Sequence, residues 1–153
     1  MNAYQTWITH HTELLNQNAP STRNGKGNFK QLLNGIGLNM LRGKNVLEFG
    51  TYTGYSANLL ARIIRPSAHL YGFDSWQGLP EDWNGVVDKG HFAMDGLPVV
   101  RPNVTLVPGW FDKTLEPFLD SHPDLEVGIV HIDCDIYSST KYVLDVLYQR
   151  KII

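Results

Sequence analysis

The 153 residues suit one domain with a real core, since 42% of them are apolar and 18% charged. A net charge of −2 offers no basic face to nucleic acid or an anionic membrane, and no apolar run approaches the roughly 20 residues that span a bilayer. With one cysteine, Cys134, there is no internal disulfide, and with no signal-peptide pattern over Met1–Leu15 a reducing cytoplasm is the expected compartment.

Taken in order, Tyr4, Trp7, Ile8, His11, Leu14 and Leu15 recur at helical spacing, and the helix they predict stops before Asn18-Ala19-Pro20. Ser21 to Asn28 is a polar loop. Phe29, Leu32, Leu33 and Ile36 predict a second helix, and Arg42-Gly43-Lys44 a turn. Strands and helices then alternate. Asn45–Phe49 predicts a first strand, Ser56–Ile64 a helix stopped by Pro66, and His69–Phe73 a second strand. Asp74 to Pro102 is rich in Gly, Pro and Trp and has little periodicity, the mark of a functional loop. Val104–Val107 predicts a third strand, Asp112–Leu119 a short helix, Val127–Ile132 a fourth strand, and Ser138–Arg150 a helix capped by Ser138 or Ser139. Such alternation implies an α/β fold with a parallel sheet whose central strands are apolar throughout.

The chemistry gathers at the ends of those strands. Glu48 closes the first, and Gly50 and Gly54 open the next helix with Gly-x-x-x-Gly spacing. A dinucleotide site wants Gly-x-Gly-x-x-Gly so that backbone amides meet a pyrophosphate. Here position 52 is Tyr, which weakens an NAD-dependent oxidoreductase reading. S-adenosylmethionine (SAM) has no phosphate; its sulfonium and ammonium favour a carboxylate such as Glu48. A plain strand-to-helix turn explains the glycines equally well when they are taken alone. Asp74 follows the second strand, 24 residues after Gly50, where it can accept hydrogen bonds from a ribose or cap the turn into Ser75-Trp76. Asp133 and Asp135 follow the fourth strand, where they can cap the following helix or pair with Lys141. His131, inside an apolar strand, reads as a packed core residue, and His91 as a loop histidine within reach of base chemistry near neutral pH. Cys134 lies between two acids that disfavour its thiolate.

Four stretches also carry a resemblance in order over about residues 45–147: the Glu48–Gly54 turn, Phe73-Asp74-Ser75-Trp76-Gln77-Gly78-Leu79-Pro80-Glu81, Gly109-Trp110-Phe111-Asp112-Lys113-Thr114-Leu115, and His131-Ile132-Asp133-Cys134-Asp135-Ile136-Tyr137-Ser138-Ser139-Thr140. Together they resemble the macrocin O-methyltransferase-like proteins, class I SAM-dependent methyltransferases of which several act on sugar hydroxyls. The resemblance implies a Rossmann-like sheet of order 3-2-1-4. It implies SAM held by Glu48, Gly50, Thr51, Tyr52 and Gly54 at its methionine part, by Asp74 and Ser75 at the ribose, and by Gly109, Trp110 and Phe111 around the adenine. Asp133 and Asp135 become the catalytic acids, with Asp133 the ligand of a magnesium ion that binds a small-molecule hydroxyl acceptor.

Relatives of that family continue with a fifth strand, a further pair of acids and an antiparallel hairpin, all missing from the 153 residues. The expectation is therefore a C-terminally truncated domain, with residues 1–43 a helical lid and 44–153 the SAM-binding core. An exposed edge at the fourth strand is an association hazard that leaves a homo-oligomer open, and a non-catalytic SAM-binding or interaction module is the alternative function.

Overall fold

Four short strands are the frame on which every other described residue is hung. The computed structural model describes residues 43–64 and 68–153, with Ile63 described by its backbone only, all within the larger of the two units into which the chain divides, Leu38–Ile153. The two expected N-terminal helices, the 21–28 loop, Arg42, Pro66 and the expected lid over 1–43, apart from Gly43, lie outside these residues.

β1 (Asn45–Phe49) is followed by α1 (Tyr55–Ile63) and β2 (Leu70–Asp74). After a long connection come β3 (Val104–Pro108), α2 (Phe111–Ser121), β4 (Val127–Ile132) and α3 (Tyr137–Gln149). The strands are parallel and ordered β3-β2-β1-β4, as expected. Period-two alternation sends Leu47 and Phe49 to one face and Val46 and Glu48 to the other. On the first face Leu47, Phe49 and Phe73 meet Leu115, Phe118 and Leu119 of α2 and Val143, Val146 and Leu147 of α3. Aromatic rings run through that layer: Phe49 stacks on Phe73 with centroids 4.8 Å apart, and Phe118 meets Phe73 edge-on at 5.0 Å. Arg150 ties the two helices by pairing with Asp120. On the other face α1 buries Ala57, Leu60 and Ala61. Among the described residues, no helix is long and apolar enough to cross a membrane.

The differences from expectation have local causes. β2 begins and ends one residue later than expected, its end at Asp74 because Asp74 pairs with Pro108 in register and its carbonyl accepts the Gly109 N–H at 2.9 Å. α3 starts at Tyr137 and neither serine caps it: Ile136 is the N-cap residue without a side-chain cap, and the Ser138 hydroxyl donates instead to Glu81 Oε1 at 2.7 Å. β4 is only half-buried although its sequence is apolar, because it pairs on one side alone, with β1. The long 75–103 connection forms no helix or strand, yet it is folded on itself. Trp76 carbonyl accepts from Met94 N–H, Leu79 exchanges backbone bonds with Gly90 and His91, and Trp83 bridges Val87.

Leu147 is fully buried between the helices and the sheet, so Leu147→Ala should cost about 2–5 kcal/mol in urea unfolding. Exposed Leu97→Ala should stay within about 0.5 kcal/mol of the parent. Equal effects would contradict this core.

Candidate active site

The carboxyl ends of the strands are stitched level with one another. Gly50 N–H donates to Phe73 carbonyl at 2.9 Å, Asp133 N–H to Phe49 carbonyl at 2.8 Å, and Gly109 N–H to Asp74 carbonyl at 2.9 Å. Gly50 has a φ of +89°, and a Cβ on it would lie 2.0 Å from the Asp133 carbonyl oxygen. Only glycine lets β1 and β4 end this close together. Above this row opens a cavity of about 630 Å³, within the roughly 300–1,000 Å³ range of small-molecule sites.

The structure brings Gly50, Tyr52, Asp74, Ser75, Gly109, Trp110, Phe111, Asp133 and Asp135 to that cavity. Asp74 is more heavily engaged than a free ribose acceptor. Its Oδ2 accepts the Tyr52 N–H at 2.8 Å and its Oδ1 the Trp76 N–H at 2.9 Å, while Trp76 Nε1 donates to the Tyr52 carbonyl at 2.8 Å. Each carboxylate oxygen keeps a second lone pair for a ligand hydroxyl. Phe111 serves two ends, lining the cavity and packing edge-on against Phe49 at 5.5 Å.

Glu48, Thr51 and Gly54 do not line the cavity. Glu48 is fully buried on the α1 side of the sheet, where the Nδ1–H of His131 donates to its Oε1 at 3.0 Å. The expected packing histidine is thus a polar partner. Thr51 is also buried. Gly54 is the left-handed residue that starts α1 and lies against Pro98 and Val100. Lys141 pairs with Asp145 one turn along α3. His91 is exposed with its ring against Phe92 and is not part of the wall.

Other walls had no sequence signal. Phe92 meets Tyr52 edge-on at 5.3 Å across the rim, and Tyr142 enters from α3. Leu79 and Pro80 do fall within the motif around Asp74 and were findable there. Tyr142 has its pKa raised by burial and by the nearby Glu116 and Asp112 carboxylates, so it stays a neutral hydrogen-bonding phenol. Burial pushes the Cys134 thiol up as well, with Asp135 and Asp133 adding to it against a hydrogen bond from Thr140. Asp135 is raised above its ordinary 3.8, first by burial and then by the charges of Asp133 and Asp74. Its φ of +55° is a left-handed conformation that Asp and Asn tolerate better than other side chains.

A family model described as a methyltransferase domain matches residues 47–151. The chain belongs to that methyltransferase family. Membership, with the β3-β2-β1-β4 order, makes it a class I methyltransferase and implies SAM as the methyl donor. Among solved structures, the apo structure of CalS11, a TDP-rhamnose 3'-O-methyltransferase and an enzyme in calicheamicin biosynthesis, superposes with a TM-score of 0.50 at 19% identity. The match covers 98% of this chain and 74% of that one, and at that identity it speaks for the fold. No curated protein matches the chain.

The methyltransferase cavity carries a stability cost that can be measured. Because Asp135 holds its proton more tightly folded than unfolded, ionising it opposes folding. The cost begins as pH rises past about 3.8 and is complete above the raised folded value. Asp135→Asn, which fits the same φ, should raise Tm at neutral pH, and the gain should vanish as pH falls below 3.8. A loss of Tm at neutral pH would overturn this account of Asp135.

Proposed function

We propose that the protein is a SAM-dependent O-methyltransferase of the macrocin O-methyltransferase-like kind, transferring methyl to a hydroxyl of a small molecule such as a sugar. One observation carries the reading: a single cavity at the four strand ends collects Asp74, Trp110, Phe111, Asp133 and Asp135. The acceptor class rests on the four ordered motifs. The solved neighbour, named for methylating a sugar 3'-hydroxyl, agrees in kind. Residues 44–153 would form the donor-binding core.

In this reading the residues divide the work by position. Asp74 takes the ribose hydroxyls on its remaining lone pairs, and Ser75 borders them. Trp110 and Phe111 wall the adenine, with Gly109 leaving room for the ring. Tyr52 closes the methionine side, where Gly50 lets the backbone approach and Gly54 sets the helix start. Glu48, buried behind the cavity floor, supplies negative charge toward the ammonium, with Thr51 beside it. Bound there, SAM supplies an electrophilic methyl carbon on a cationic sulfur. Asp133 and Asp135 orient the acceptor hydroxyl, and Asp135, a stronger base than an ordinary aspartate, takes its proton. Alignment of reactants accounts for most of the acceleration, about 7–11 kcal/mol at best.

Magnesium belongs to the same reading. Among the described residues no three His, Cys, Asp or Glu side chains converge on one point. Magnesium is commonly held by only one or two carboxylates with water and substrate completing the shell. Asp133, with Asp135, would hold it, and it would lower the pKa of the acceptor hydroxyl.

Calorimetric titration with S-adenosylhomocysteine and with NAD tests the donor. Binding of the first alone is expected, and binding of NAD alone would sink the proposal. Trp110→Ala should weaken S-adenosylhomocysteine by about 1 kcal/mol. Asp133→Asn should lower methyl transfer from labelled SAM to hydroxylated acceptors far more than it changes donor affinity. Chelation by EDTA followed by magnesium addition separates the two proton-transfer routes: restored turnover assigns the ion, and undiminished turnover in EDTA assigns the proton to Asp135 alone.

A further inference from the structure

Behind the floor of the cavity, three residues stand in register across the sheet. Gly72 of β2 pairs with Glu48 of β1, and Glu48 with His131 of β4. Glu48 lies two residues before Gly50, and His131 two before Asp133, and both of those later residues line the cavity. At Gly72 the missing side chain makes room for Thr51, whose Oγ1 would be 2.7 Å from any Cβ there. A threonine hydroxyl, a carboxylate and an imidazole thus share one buried patch.

The patch is half satisfied. Glu48 is fully buried, and of its two oxygens Oε1 is held by His131 while Oε2 has no partner among the described residues. Thr51 Oγ1 is buried and unpartnered as well. A buried polar atom without a hydrogen bond costs stability, more so on a charged group. A patch built for structure alone would have closed both atoms. The asymmetry has a simple geometric content: with one oxygen held by the imidazole, the orientation of the carboxylate is set, and with it the place of the buried second oxygen.

We propose that His131 is a positioning residue for donor binding. It locks Glu48 through Oε1 so that Oε2 is presented to the ammonium end of the donor's methionine part, directly or through one water, with the Thr51 hydroxyl as the neighbouring polar group. The inference rests on the SAM-binding reading above, and it adds a residue whose own sequence context, an apolar strand, suggests nothing but packing. The imidazole never touches the donor; its effect passes through the carboxylate.

The test compares S-adenosylhomocysteine with 5'-methylthioadenosine, which keeps the adenosine and the sulfur but lacks the ammonium. His131→Phe should weaken S-adenosylhomocysteine by about tenfold and leave methylthioadenosine within about twofold, the loss of one hydrogen bond to a charged group being worth that much. His131→Asn, whose amide can replace Nδ1–H as donor, should recover most of the S-adenosylhomocysteine affinity. If His131→Phe weakens both ligands equally, or Asn fails to rescue while Tm matches that of the parent, His131 only packs and the proposal is wrong. Unchanged affinity for both ligands in both variants overturns it too. Should the Phe variant not fold, the Asn variant decides alone: a selective change in the ratio of the two affinities supports positioning, and an unchanged ratio with lowered Tm refutes it. Parent protein that binds neither ligand points instead to failure of the SAM-binding reading.

Discussion

The site depends first on the Asp74 carboxylate. Its two oxygens accept backbone N–H groups from Tyr52 and Trp76, which belong to the turn after β1 and the connection after β2. Two chain segments that share no regular secondary structure are thereby fixed to the end of one strand. Trp76 returns a bond to the Tyr52 carbonyl, so the three residues form a closed hydrogen-bonded triangle. Charge-assisted bonds of this kind are about twice as strong as neutral ones. They hold a loop that the sheet alone could not position. An acid at the end of β2 therefore does structural work before any ligand arrives, and one lone pair on each of its oxygens remains open.

That arrangement makes sense of the gathering of acids at one place. Asp74, Asp133 and Asp135 line the same cavity, and burial first, then the charges of Asp133 and Asp74, raises the pKa of Asp135. A fold selected only for stability would separate them. Lys113 also lines the cavity, but its charge is taken by Asp112 at 2.9 Å. The net field within the described wall is negative, which suits a sulfonium donor and would disfavour a pyrophosphate. The electrostatics and the non-dinucleotide glycine spacing thus favour the same ligand for independent reasons.

Much of this was legible in the sequence, for identifiable reasons. β1 and β4 match expectation to the residue because each is a short apolar run bounded by polar or turn-forming residues. Sheet order and the acids at the strand ends followed from the ordered motifs. What escaped was whatever depends on contacts across the chain. Nothing near Glu48 says that His131, 83 positions away, will hold it, because an apolar strand masks the one polar residue that matters. Nor does Ser138, an apparent helix cap, reveal that Glu81 will claim its hydroxyl. Phe92 and Tyr142 reach the cavity through tertiary placement alone. Local propensity reads what a segment does by itself; side-chain partners of high sequence separation lie beyond it.

The rim of the cavity is built differently from its floor. Tyr52, Phe92 and Asp135 on the cavity wall, and the buried Trp76 behind it, all have left-handed φ values, from +44° to +68°, without being glycine. Such residues cost of order 1–3 kcal/mol each and persist only where their surroundings over-determine them. Here the surroundings are known: Asp74 and the Trp76 indole hold Tyr52, Asp74 also holds the Trp76 N–H, and the Trp76 carbonyl anchors Met94 two residues beyond Phe92. The Tyr52 and Phe92 rings then meet edge to face at 5.3 Å. The rim is strained but pre-set, so a ligand entering beside these rings need not order them. A connection without a helix or strand can therefore be as exact a wall as the sheet beneath it, because its backbone is pinned at Trp76, Leu79 and Trp83. The side chains on that wall take their positions from loop hydrogen bonds rather than periodicity, which is why the strand ends can be read from the sequence while this wall cannot.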